Sequence, residues 1–210
     1  MGVFLGFDPG GAGAFGWCVL DGNALPLNLR ARGIANHAHD ALNGALQAAG
    51  NNAIDAVGID APLFWRSDGD RQVDQVTRTQ IVGLGSPGGT VNHVNSMRGA
   101  CLIQGVAVGL LTRQLVRPDV PISEAHPKAM LWLLGVASPA NPPENISLAD
   151  LPGYFVGNVQ GASDHERDAA VGALSAFAMV NQLQNWHDLF QHEVNPLLPL
   201  QQPLGYWMPV

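Results

Sequence analysis

The sequence predicts an α/β fold, a mixed β-sheet flanked by helices in one domain. Three observations lead there. The chain opens with three consecutive strand-like runs, and strands then alternate with helical segments. Its 210 residues are 47% apolar and only 13% charged, enough for one sizeable core and too apolar for disorder.

The elements follow in order. The run VFLGF, ending at Asp8, reads as a buried strand, and after the tight PGGAG the run AFGWCVL reads as a second. Asp21-Gly22 signals a turn into a third strand at 25–32. Leu42, Ala45, Leu46 and Ala49 lie at helical spacing within 37–49. AIDAVGID is another buried strand, ending at Asp60 and stopped by Pro62. A helix at 70–80 and a long loop, GLGSPGGTVNHVN, come next; loops of that length in compact domains tend to be functional. Residues 97–116 form an apolar helix, a short strand delivers Glu124, and 128–136 form a short helix. Residues 138–153 are a Pro-rich excursion. Ser163 caps a helix running to 183, with Glu166 three places on completing a capping box. Residues 195–210 form a Pro-rich tail expected to pack on the surface of this single domain, 1–210; it also suits a homodimer contact.

Composition narrows the function classes. Net charge is −7, with one lysine and nine arginines spread thinly, so an extended phosphate-gripping surface is excluded and any nucleic-acid contact is local or aided by a cation. Cys18 and Cys101 belong to no metal-binding spacing and read as small buried apolar residues. The N-terminus lacks the basic start and long apolar stretch of a signal peptide, and no run of 18 apolar residues spans a membrane. A cytoplasmic location is the expectation.

Chemistry concentrates in four acidic residues. Asp8, Asp60 and Glu124 end apolar strands, and Asp168 lies where the late helix meets the core. Strand ends of a mostly parallel sheet converge at one edge, where such sheets place their ligands. Carboxylates gathered there repel one another, and Mg²⁺ or Mn²⁺ suits hard oxygen donors. Each residue also has a plainer role: turn former for Asp8, strand stop for Asp60, surface partner of His126 or Arg117 for Glu124, helix-dipole charge for Asp168.

The segments GFDPGGAGAFGWCVL, AVGIDAPLFW, ISEAHPKAMLWLLG and DHERDAAVGALSAFA, in this order, resemble the predicted RNase H-like nucleases of the ribonuclease H-like superfamily. The resemblance implies an RNase H-like sheet and a catalytic, metal-holding set of Asp8, Asp60, Glu124 and Asp168. Arg71 and Asp74, with Arg78 beyond, look like that family's Arg-x-x-Asp element. On the late helix, Asp164 or His165 can share the metal site with Asp168 at helical spacing.

Other candidates carry two readings each. His126 either aids proton transfer beside Glu124 or is structural before Pro127. Arg71 and Arg78 either steer a phosphate or pair with Asp74 or Asp70 on the surface, the second being favoured. Trp65 and Arg66 either stack a base or belong to the core. DPGGAG can cradle a phosphate, yet it is neither a Walker A nor a Rossmann fingerprint.

Three functions compete. A metal-dependent nuclease using two divalent cations leads. An actin-like ATP-dependent phosphotransferase would need a second phosphate loop and an adenosine motif, and neither is evident. A non-catalytic RNase H-fold binding module predicts no metal dependence.

Overall fold

A computed structural model describes residues 1–64, 71–91, 99–194, 196 and 200–210. Trp65, Arg66, Asp70 and the part of the long loop at 92–95 lie outside the described residues.

The opening meander is β1 (Gly2–Asp8), β2 (Phe15–Gly22) and β3 (Leu27–Ala35), paired antiparallel in succession. The apolar runs alternate between two covered faces, so nearly every residue of β1 is buried. Helix α1 (Ala38–Ala49) returns the chain to β4 (Ala56–Ile59), which lies parallel to β1. Helices α2 (Gln72–Gly83) and α3 (Gly99–Leu115) precede β5 (Ile122–Glu124), parallel to β4. Then come α4 (Pro127–Leu133), β6 (Phe155–Gly157), α5 (Asp164–Asn181), β7 (Trp186–Asp188) and β8 (Leu204–Pro209).

The eight strands form one sheet in the order β6-β3-β2-β1-β4-β5-β8-β7. Its centre, an antiparallel meander continued by two parallel strands, is the RNase H-like arrangement that the resemblance implies. Residues 204–209 correct the expectation of a surface tail. They insert as β8 between β5 and β7, and all six are buried. A segment with prolines at 203 and 209 can do this because the five residues between them, Leu-Gly-Tyr-Trp-Met, contain no proline and keep their N–H groups for the ladder.

Helix α5 sets the geometry of the site. It carries the expected cap: Glu166 N–H donates to Ser163 Oγ (3.3 Å), and Ser163 N–H donates to a Glu166 carboxylate oxygen (2.7 Å). Beyond the first turn it is sheathed on all sides, with Ala169–Ala178 buried throughout. Two glycines of the sheet let it lie this close. A Cβ on Gly6 would stand 1.9 Å from the Ala169 carbonyl oxygen, and one on Gly58 would stand 1.9 Å from that of Gly172. Phe4 on the same face packs edge-on against Phe177 at 5.2 Å. Helix α1 covers the other face, where Gly44 meets the Trp17 ring.

Candidate metal centre

Side-chain parity along the strands decides which carboxylates meet. On β1, Gly6 faces α5, so Asp8 two residues on faces it too. Gly58 likewise faces α5, and Asp60 follows it by two. Asp168 projects from α5 one turn after Asp164 and three residues after His165. Asp8, Asp60, Asp164, His165 and Asp168 all line one cavity of about 310 Å³. Thr90, Cys101, His126 and Lys128 share it.

The charges there are crowded. Burial, then Asp8 and Asp168, push the Asp60 carboxyl well above the usual carboxylate range. Burial raises Asp168 to about 6, with Asp8 adding to the rise while Arg167 opposes it. Arg167 is itself buried and donates from Nε to Asp168 Oδ1 at 2.8 Å. His165 Nδ1 lies 2.6 Å from Asp8 Oδ2, and this hydrogen bond holds the imidazole pKa above its ordinary value. His165 is thus tied to Asp8 while its side chain stays partly exposed.

Glu124 is placed differently from the other three. Its partner across the ladder is Ile59, whereas Ser123 pairs with Gly58 and bonds Ser175 of α5 (Oγ to Oγ, 2.7 Å). Glu124 therefore points to the face opposite α5 and does not line the cavity. It is fully buried, and Arg71 is its counter-ion. Arg71 donates to both Glu124 oxygens (2.6 and 3.0 Å), to both Asp74 oxygens (2.8 Å each) and to the Phe64 carbonyl (3.1 Å). Leu63 N–H adds a bond to Glu124 Oε2 at 2.7 Å, and the guanidinium stands 4.5 Å over the Phe64 ring. Burial opposes the Arg71 charge, but Glu124 and Asp74 outweigh it and hold the pKa well above the ordinary value. Burial in turn pushes Glu124 up, to about 7, against the pull of Arg71.

Three corrections follow. Glu124 pairs with Arg71 in the interior, not with His126 or Arg117 on the surface. The Arg71–Asp74 pair is likewise internal, because the five hydrogen bonds that Arg71 donates compensate the loss of water. Cys101 is only half-buried and lines the cavity, its Sγ 3.9 Å from the Asp60 carbonyl oxygen; Cys18 is buried as expected. Arg78 donates to the Val91 carbonyl at 3.1 Å.

His126 joins the two groups. Its Nδ1 lies 4.0 Å from Asp60 and its Nε2 3.9 Å from Asp74. Burial pushes its pKa down to about 4, so it is neutral at pH 7. Asp74, Glu124 and His126 also offer ligand atoms within 4.8 Å of one another, a possible metal-binding group. Arg71 Nη2 already occupies that ground, bonded to Asp74 Oδ1 and Glu124 Oε1. In the set of Asp8, Asp60 and Asp168, Arg167 holds Asp168 but no arginine bridges two members among the described residues, and carboxylate oxygens are donors of the kind a divalent ion takes.

Fold and cavity together define an α/β protein of RNase H-like architecture with a carboxylate cavity at the sheet edge. Among solved structures the chain is similar to the Thermus thermophilus RuvC structure, with a TM-score of 0.49 and 15% identity over 84% of this chain and 95% of that one. No protein-family model matches the chain, and no curated protein matches it.

Proposed function

We propose that this protein is a metal-dependent phosphodiesterase acting on nucleic acid, with Asp8, Asp60 and Asp168 as its metal-holding carboxylates, Asp164 and His165 at their rim, and Mg²⁺ or Mn²⁺ as the ion. One observation carries the reading: three separate elements deliver buried or half-buried carboxylates into a single cavity, at a cost in ionisation that the fold alone does not repay. Catalytic sites are where such crowding recurs. A divalent cation, when bound, supplies charge neutralisation and the activation of water for in-line attack on a phosphodiester.

The chain's own residues set the rest. Arg167 holds Asp168 Oδ1, fixing that carboxylate's orientation. His165 does the same for Asp8. His126, neutral at pH 7 because burial disfavours its charged form, stands 4.0 Å from Asp60 as an uncharged polar neighbour rather than as a base. Glu124 acts from behind, through the Arg71 clasp that anchors Leu63 and Phe64 after the Asp60 strand.

The test is calorimetric titration of Mg²⁺ and Mn²⁺ into the wild type and into the Asp8→Asn/Asp60→Asn variant, followed by cleavage assays on labelled single-stranded and duplex oligonucleotides. Saturable binding that the variant loses, with metal-dependent cleavage, is expected. A wild type that binds neither ion, with nucleic acid absent and then present, leaves the non-catalytic module as the better account.

A further inference from the structure

A second cavity, about 320 Å³, adjoins the carboxylate cavity, and Thr90 and Lys128 line both. That volume falls at the lower end of ligand pockets, roughly 300–1,000 Å³. Its character is different from its neighbour's. Pro142 and Pro143 present apolar rings, and Trp132, only 3% exposed, forms part of the wall. The Trp132 indole Nε1–H is buried and has no acceptor among the described residues. A buried donor left in that state costs on the order of 1–3 kcal/mol, unless something entering the cavity accepts from it.

Lys128 is the single lysine of the chain, and it stands where the two cavities meet. Its ammonium lies 3.7 Å from a Glu144 carboxylate oxygen, with both side chains about half exposed. Such an exposed pair is worth little and is readily exchanged for a better anion. In a chain of net charge −7, the one lysine stands beside the aspartate cluster, where its charge favours the ionised forms of Asp60 and Asp168.

We propose that the Trp132–Pro142–Pro143 cavity is a nucleotide subsite: Lys128 holds the phosphate at the junction, and an unpaired base enters the second cavity, its faces against the proline rings and a carbonyl edge accepting from Trp132 Nε1–H. The ligand class follows from the parts. A phosphate satisfies Lys128 next to a metal-binding carboxylate set, and a nucleobase combines flat apolar faces with exocyclic carbonyl acceptors. A base within a duplex stack presents neither face, so the substrate is single-stranded or has its nucleotide turned out at the point of cleavage. This inference rests on the metal-centre reading above and assigns the substrate class for that site.

The experiment uses thymidine 3′,5′-bisphosphate and inorganic phosphate as probes, titrated calorimetrically into the Mn²⁺-loaded protein. Metal titrations are run first on every variant. Lys128→Met is expected to bind Mn²⁺ at least as tightly as the wild type, since it removes a positive charge from the rim, and to bind the bisphosphate about tenfold more weakly, with a shallower salt dependence. Lys128→Arg is expected to recover most of that loss. Trp132→Phe keeps an aromatic ring in the wall and deletes the donor; it is expected to weaken the bisphosphate severalfold and leave inorganic phosphate unchanged. If Lys128→Met binds the bisphosphate like the wild type, or if Trp132→Phe affects both probes equally or neither, the subsite is overturned. A metal-loaded wild type that gives no heat with the bisphosphate overturns it as well. Absence of metal binding in the wild type instead removes the metal-centre reading, a separate outcome.

Discussion

Replacing Asp168 by Asn should make the metal-free protein more stable, even though the residue sits at the heart of the proposed site. Asp168 is 5% exposed, and its pKa rises from the ordinary 3.8 to about 6, chiefly through burial and then against the pull of Arg167. At about 1.36 kcal/mol per pH unit, holding this carboxylate ionised costs the folded state about 3 kcal/mol. Asn is nearly isosteric, stays neutral, and its oxygen can still accept from Arg167 Nε. The sign depends on pH. Because the folded pKa is the higher one, the contribution of Asp168 to wild-type stability falls as pH rises from 3.8 through about 6 and is lowest above that. The advantage of Asp168→Asn is therefore full at pH 8, at most about 3 kcal/mol or roughly 6–12 °C in Tm for a chain of this size, and absent near pH 3.5. The assay is thermal melting in EDTA at several pH values. Saturating Mg²⁺ or Mn²⁺ should close the gap, since a ligand at a hundred times its Kd stabilises the wild type alone by about 2.7 kcal/mol. A variant that melts below the wild type at pH 8 in EDTA would refute the argument that crowded carboxylates strain this site.

Two further outcomes test the frame around the site. Arg71→Met leaves Glu124 and Asp74 buried without their counter-ion and should cost about 3–5 kcal/mol in urea unfolding, the deficit shrinking as acid protonates the two carboxyls; a loss below about 1 kcal/mol would mean that water compensates them. Gly58→Ala drives a methyl group into the Gly172 carbonyl and should lower stability by about 1–3 kcal/mol or more while weakening metal binding through displacement of Asp168, whereas Gly153→Ala, with open space around it, should leave the melting curve and metal titration unchanged.

Much of this protein is legible one segment at a time. The unbroken apolar runs before Asp8 and Asp60 announce buried strands, and the Ser163/Glu166 box announces the helix bearing Asp168, because strand periodicity and helix capping are local properties of the chain. Those features suffice to nominate Asp8, Asp60 and Asp168. The same features nominate Glu124 as a fourth member, but they do not reveal which way it faces. Its position at a strand end looks the same in sequence, but the β4–β5 register, a contact between residues more than 60 apart, turns it to the opposite face and into the grip of Arg71. A one-residue change of register would have reversed the answer, and nothing local specifies it. The Arg-x-x-Asp spacing was visible as a pair, yet its burial was not, since an ion pair three residues apart on a helix usually faces water.

Other parts were invisible for the same reason. Prolines in the last sixteen residues suggested a covering tail, while the strand they frame finds its hydrogen-bond partners in β5 and β7, and only the assembled sheet has an edge there to fill. Lys128 and Trp132 lie in the segment that follows Glu124, but nothing local gives them a role; their meaning comes from the cavities they line. The sequence by itself determined the element types and the mixed sheet and nominated four carboxylates at strand and helix ends, Asp8, Asp60, Glu124 and Asp168, because those follow from the periodicity of nearby residues. Tertiary structure alone decided which carboxylates share a cavity, which one is neutralised by arginine and what borders them, because side-chain direction across paired strands is set by long-range register and by how closely glycines let a helix approach the sheet.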